Sequence, residues 1–157
     1  WEKFAQRCAE VGVDGVLTVD FPPEESHEAF AHLQAHGIDP IFLIAPTTNE
    51  ARIELVAKLA RGYVYYVSLK GVTGAGNLDL SAIAQKIPEL RKHISIPIGV
   101  GFGIRDAVTA HAVSAMCDGV VVGSRIVQEI ENSSEQQLLD NVSRLAKELR
   151  AAIDKSV

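Results

Sequence analysis

Five short apolar runs, each followed by a helix-like segment, set the strongest limit on how this chain folds. They are Gly15-Val16-Leu17-Thr18-Val19, Ile41-Phe42-Leu43-Ile44, Tyr63-Val64-Tyr65-Tyr66-Val67, residues 96–100, and Gly119-Val120-Val121-Val122. Runs this short and this apolar read as buried strands. Strict alternation of strand and helix points to βα units joined in parallel. Strands that read as near-continuous apolar runs point to a sheet covered on both faces. Two architectures satisfy the pattern: a doubly wound open sheet, or part of a (β/α)8 barrel. A whole barrel needs eight strands and about 250 residues, and 157 residues supply five runs.

The helical segments follow from spacing and end signals. Residues 1–11 carry Phe4, Ala5, Cys8 and Val11 at helical spacing, with Gly12 as the stop. Residues 24–36 have acidic side chains in the first turn and Gly37 beyond the last. Thr48 or Asn49 caps a helix over 50–60. A helix over 80–93 is expected to bend or restart near Pro88. Further helices are expected over 105–116, over 124–130, and from a Ser134 cap to about residue 153. The segment 70–79 holds Gly71, Gly74 and Gly76 and is expected to be a mobile loop.

Composition narrows the function classes. A formal charge of −5 offers no basic excess for nucleic acid or a membrane surface. A small phosphorylated ligand stays open, because one anion needs local donors and not a positive protein. No run of about 18 apolar residues suggests a membrane span, and no signal peptide is evident. Cys8 and Cys117 share no CxxC spacing, so free thiols in a reducing cytoplasm are expected. The chain opens at Trp1, inside a helix-like segment, which is expected of a truncated sequence.

Two strands end in glycine just before a helix: Gly99-Val100-Gly101-Phe102-Gly103 and Gly119-Val120-Val121-Val122-Gly123-Ser124. Backbone N–H groups at such ends have no helical partner yet and suit an anion. The plain alternative is that these glycines only let helices pack close to strand ends. Two consecutive glycine-ended strands late in a parallel series favour phosphate, because that is where barrels hold it. A dinucleotide fingerprint fails, since Ile104 stands where GxGxxG needs glycine.

Other candidates are weaker. Gly71-Val72-Thr73-Gly74 can close over a ligand or be an ordinary surface loop. Asp20 fits an Asx turn or cap before Pro22-Pro23 better than acid–base work, and Glu24 and Glu25 suit a helix start. His27-Glu28 with His32 misses HExxH by one residue. The i,i+4 pair His32 and His36 lacks a third ligand, so no metal site is expected. No nucleophile elbow is present.

With Gly101-Phe102-Gly103-Ile104, Gly71-Val72-Thr73-Gly74 and Gly123-Ser124 in this order, the chain resembles the tryptophan synthase α chain family. Val19-Asp20-Phe21-Pro22 with Glu24-Glu25-Ser26, Pro40-Ile41-Phe42-Leu43, and Arg61-Gly62-Tyr63 with Tyr65 extend the likeness over nearly all of the sequence. The resemblance implies an α/β fold of the parallel TIM-barrel type, here a single domain over 1–157 forming a partial barrel of about five βα units. It implies a carbon–carbon lyase of tryptophan biosynthesis, cleaving indole-3-glycerol phosphate to indole and glyceraldehyde 3-phosphate. It also implies a cytoplasmic enzyme partnered by a β subunit; pyridoxal phosphate would belong to that partner, and this chain would need no cofactor.

By the same resemblance, Gly74, Phe102, Gly103, Gly123 and Ser124 would hold the substrate phosphate. Leu43, Tyr65, Thr73 and Phe102 would line the substrate pocket, and Asp20, Pro22 and Glu24 would face the partner. The family's catalytic glutamate and aspartate come from strands and loops that precede the region matched here, so no catalytic residue is assigned in this chain and it is expected to be inactive alone. Edges at residues 15–19 and 119–122 would then be open to self-association. Two other readings are a different phosphate-binding barrel, such as an isomerase or a prenyl-glyceryl phosphate synthase, and a non-catalytic half-barrel that self-associates.

Overall fold

The computed structural model describes residues 1–19, 21, 22, 24, 26–68, 79–101 and 103–154. Its strands are β1 (Gly15–Leu17), β2 (Asp39–Ile44), β3 (Val64–Val67), β4 (Ile98–Gly101) and β5 (Gly119–Val121). Its helices are α1 (Glu2–Glu10), α2 (His27–Ala35), α3 (Glu50–Leu59), α4 (Leu80–Arg91), α5 (Ala107–Ser114), α6 (Ser124–Glu131) and α7 (Leu138–Ile153). The strands form one sheet in the order β1-β2-β3-β4-β5, every neighbouring pair parallel. A doubly wound sheet needs a point where strand order reverses, and none occurs. Right-handed crossovers between sequential parallel strands instead send the helices to one side, and the sheet curls as a half-barrel.

Register shows what each side carries. Ile44, Tyr66 and Val100 are paired neighbours, as are Phe42, Val64 and Ile98, and all six are buried. They pack in one cluster with Phe30, Leu33, Ile53, Val56, Ile83 and Leu90 from the helices. Of the alternate positions, Ile41 is buried beside Gly15 and Gly62, while Leu17, Leu43, Tyr65, Val67 and Val121 are only half-buried. The apolar runs led to the expectation of cover on both faces; the described sheet is covered on one. Five strands do not close on themselves, so the concave face has no opposite wall. β4 alone is buried throughout, because the rings of Tyr65 in β3 and Tyr63 just before it lie across its two glycines.

Helix ends follow local chemistry. Asn49 is the cap of α3, accepting the Arg52 N–H at 2.9 Å, while Thr48 Oγ1 accepts the Ala45 N–H at 3.0 Å in the preceding turn. Asp106 and Thr109 make a reciprocal capping box on α5. Gly37, at φ +72°, supplies the left-handed residue beyond α2. Three expectations shift. α2 starts at His27 with buried Ser26 as its N-cap, not at residue 24. α4 runs unbroken through Pro88, held by buried Ile83, Ile87 and Leu90. The turn after α6 takes up Ser134, whose carbonyl accepts the Gln137 N–H at 3.0 Å, so α7 begins at Leu138.

One carboxylate ties three elements together at the β4–β5 edge. Asp118 accepts from the Ile98 N–H at 2.7 Å and from the Arg91 guanidinium, and its own N–H donates to the Ile98 carbonyl at 3.1 Å. Burial pushes the carboxyl pKa up, but the Ile98 N–H and Arg91 outweigh it and hold it below the ordinary value. A carboxyl depressed by folding contributes stability above its unfolded pKa of about 3.9, and that stability is lost as pH falls through the folded value. Asp118→Asn is therefore expected to flatten the acid limb of a stability–pH profile below about pH 4. Asp118→Ala is expected to cost about 1 kcal/mol at neutral pH in urea unfolding, after allowing for solvent screening.

Candidate functional site

The C-terminal ends of β3, β4 and β5 are fixed from both sides. Ser68, buried just past β3, donates its N–H and its Oγ hydroxyl to the Gly101 carbonyl, each at 3.1 Å. This ties the ends of β3 and β4 together. Two residues past β4, Gly103 turns the chain at φ +76°, a conformation that favours glycine. Ile104 then anchors the connection in the core, and Asp106 starts α5.

β5 leads through Val122 to Gly123, the N-cap of α6. A Cβ built at Gly123 would meet nothing within 4 Å. Among the described residues, then, helix packing does not demand glycine there, and none of them fills the space in front of this strand end. No side chain caps α6, and the Gly123 carbonyl accepts the Ile126 and Val127 N–H groups at 2.9 and 3.2 Å. Those of Ser124 and Arg125 come before any i−4 partner inside the helix. Both Gly123 and Ser124 are exposed. An anion at this end gains two backbone donors and the favourable end of the α6 dipole.

Leu43, Tyr65 and Gly99 share one register row on the concave face. Tyr65 does not stand upright in that row. A Cβ at Gly101 would lie 2.0 Å from the Tyr65 hydroxyl oxygen and 2.6 Å from its Cζ, so the ring leans two residues along β4. Tyr63 lies against Gly99 in the same way, with ring carbons 3.2 Å from a built Cβ. The phenol hydroxyl is thereby carried to the end of β4, where Gly103 turns the chain. Burial, and then the neighbouring Tyr63, push the Tyr65 pKa above its usual value, so Tyr65 is a neutral hydrogen-bonding group at physiological pH.

A cavity of about 550 Å³ opens between the β1–α2 and β2–α3 connections. Pro22 and Leu43 line it, together with Thr18, Thr47, Asn49 and Arg52. Phe21, on its wall, stacks on Trp1 with ring centroids 5.5 Å apart and meets Phe30 edge-on at 5.9 Å, which braces this loop against α1 and α2. Glu24, exposed, stands 4.0 Å from Arg52. The cavity thus joins one expected partner residue, Pro22, to one expected pocket residue, Leu43, with Glu24 outside its lining beside Arg52. Gly103, Gly123 and Ser124 do not line it. Asp20, Thr73, Gly74 and Phe102, and the expected mobile loop at 70–79 except for Asp79, lie outside the described residues.

The sequence reading placed Gly101 in a glycine-ended strand but not against Tyr65, and it did not pick out Thr18, Thr47 or Arg52. Arg52 carried one signal, its place three residues after the Asn49 cap; the two threonines carried none. Cys117 is half-buried, its thiol pKa raised by burial, and its Sγ lies 3.1 Å from the Gly119 carbonyl, an inert environment. The His36 ring contacts the His32 carbonyl at 2.9 Å, so the structure does not set these two imidazoles together as a chelating pair.

A family model described as tryptophan synthase alpha chain matches residues 1–154. The chain belongs to the tryptophan synthase alpha chain family. It is 59% identical over 153 residues to the alpha chain of Chromobacterium violaceum, covering 98% of this chain and 58% of that relative. The Nitrosomonas europaea alpha chain is 58% identical over 154 residues, with 98% and 56% covered. The crystal structure of the tryptophan synthase alpha subunit of Legionella pneumophila superposes with a TM-score of 0.85 at 34% identity, over 98% of this chain and 57% of that one. A tryptophan synthase structure from M. tuberculosis gives 0.83 at 29% identity, over 97% and 55%. The chain thus spans a little over half the length of the alpha chains it matches.

Gly101→Ala is expected to leave the fold intact but drive the Tyr65 ring off β4 into the open concave face. Ultraviolet titration of tyrosine, with Tyr65→Phe identifying the residue's contribution, would then find Tyr65 ionising nearer its ordinary value of about 10. An unchanged Tyr65 titration would mean that Gly101 does not set the ring's position.

Proposed function

We propose that this chain supplies the phosphate-binding half of a tryptophan synthase alpha barrel, acting as a single domain over residues 1–157. The carrying observation is the pair of strand ends at Gly103 and Gly123. One turns the chain in a conformation that favours glycine, and the other opens onto space that no described side chain fills. In this reading the backbone at Gly74, Phe102, Gly103, Gly123 and Ser124 holds the phosphate of indole-3-glycerol phosphate, and Leu43, Tyr65, Thr73 and Phe102 wall the indole end. The half-buried, neutral Tyr65 supports that role by offering a hydroxyl at the end of β4.

The reaction is a retro-aldol cleavage in the whole enzyme. The bond between indole C3 and the first glycerol carbon breaks, C3 takes a proton, and the adjoining hydroxyl loses one as the aldehyde forms. No residue of this chain is assigned to those proton transfers. Its part is to anchor the remote phosphate, so that binding energy orients the reacting end. Asp20, Pro22 and Glu24 face a β subunit carrying pyridoxal phosphate, and the cavity beside Pro22 supports a contact surface there. Among the described residues no helix is long and apolar enough to cross a membrane, and the setting proposed is cytoplasmic.

Calorimetric titration with indole-3-glycerol phosphate tests this reading. Saturable binding is expected, abolished in Gly123→Asp by the added carboxylate and without measurable indole release. A folded chain that binds no ligand, or binds equally well as Gly123→Asp, would contradict it. A second reading, self-association, draws on the two edge strands: no residue of β1 or β5 is fully buried, and Val19 is 65% exposed just past β1. A sedimenting mass of one chain at high concentration would exclude that second reading.

A further inference from the structure

Among the described residues, one group away from the strand ends has metal-ligating chemistry. Glu50 and Glu54 stand one turn apart on α3, and His93 lies in the turn after α4. His93 Nε2 is 3.3 Å from Glu50 Oε1, and its Nδ1 is 3.8 Å from Glu54 Oε1. One donor atom from each residue lies within 4.8 Å of the other two. The imidazole side chain is only 20% exposed, whereas both carboxylates reach into solvent. A ring held against the protein therefore meets two adjustable acidic arms.

Charge and spacing both bear on an occupant. Among the described residues neither carboxylate has a lysine or arginine within ion-pairing distance: Arg52 pairs with Glu24, Lys86 with Glu89 and Arg91 with Asp118, and Lys58, one turn beyond Glu54 on α3, makes no ion pair with it. Two like charges at i,i+4 repel along the helix, and one imidazole cannot neutralise both. Donors about 2.1 Å from a common metal ion lie about 3.0 Å apart at a right angle and about 3.4 Å apart at the tetrahedral angle. The 3.3 Å between His93 Nε2 and Glu50 Oε1 matches that spacing as it stands. Glu54 stands on the Nδ1 side of the ring, and rotation of its exposed side chain would bring the third donor toward Nε2.

We propose that Glu50, Glu54 and His93 form a site for one divalent transition ion, clipping α3 to the turn between α4 and β4. One imidazole nitrogen with two carboxylate oxygens suits zinc or cobalt rather than magnesium or calcium, which favour oxygen ligands throughout. Water completes the shell. The site is separate from the strand ends proposed to hold phosphate, and its existence does not depend on that reading.

The probes are zinc followed by calorimetry and cobalt followed by visible absorption, on the whole 157-residue chain. One equivalent is expected to bind saturably, raise the thermal midpoint, and leave affinity for indole-3-glycerol phosphate unchanged. His93→Gln is expected to abolish uptake, and Glu50→Gln to weaken it at least tenfold, both variants keeping the parent far-ultraviolet circular dichroism. Failure to saturate, equal uptake by His93→Gln, or a thiolate-to-cobalt charge-transfer band from Cys8 or Cys117 would overturn the proposal.

Discussion

The constraint on which the rest depends is the sequential order of five parallel strands. Each crossover returns its helix to the same side, so one side of the sheet receives all the packing. Ile44, Tyr66 and Val100 meet Phe30, Leu33, Ile53 and Leu90 there, in a core without a buried unpaired side-chain atom among the described residues. The other side receives only what the strands themselves provide. Tyr63 and Tyr65 are its largest cover, and they lie flat only because β4 offers Gly99 and Gly101 beneath them. A functional face and a packing face thus come from the same alternation of residues along β3 and β4.

That division explains the shape of the candidate site. The tyrosines lean toward the strand ends, where Ser68 ties β3 to β4 and Gly103 turns the chain toward α5. One strand further on, Gly123 leaves open the space before α6. Backbone donors, an apolar wall and one neutral hydroxyl therefore border a common edge. No carboxylate has been assigned to proton transfer, which fits a surface that binds and orients. The alpha-chain relatives are nearly twice as long as this chain.

Legibility in the sequence followed the range of the interactions. Elements set by their own residues were readable: the Asn49 cap, the Gly37 stop and all five strands lie where spacing and end signals put them. Starts governed by tertiary contact were not. α2 waits for Ser26 to be buried, and α7 waits for the turn at Ser134 to finish. Pro88 suggested a break, yet three buried side chains keep α4 whole. At the site, Gly103 and Gly123 stood out as strand ends. Gly101 stood in the same motif as Gly103, but its contact with Tyr65 was not legible, because Tyr65 lies 36 positions earlier and the contact depends on strand register. Glu50, Glu54 and His93 were invisible as a group for the same reason. The expectation of cover on both faces failed because an apolar run records what a strand can bury, not whether a second layer is there.

The central claim is that the strand ends at Gly103 and Gly123 form one anion cradle built from backbone N–H groups. Amide-resolved nuclear magnetic resonance of the uniformly ¹⁵N-labelled chain, titrated with inorganic phosphate, tests it directly. The account predicts that the Gly103, Gly123 and Ser124 amides shift together along a single saturable isotherm. Shifts confined to residues around exposed lysines and arginines, with those three amides unmoved, would contradict it.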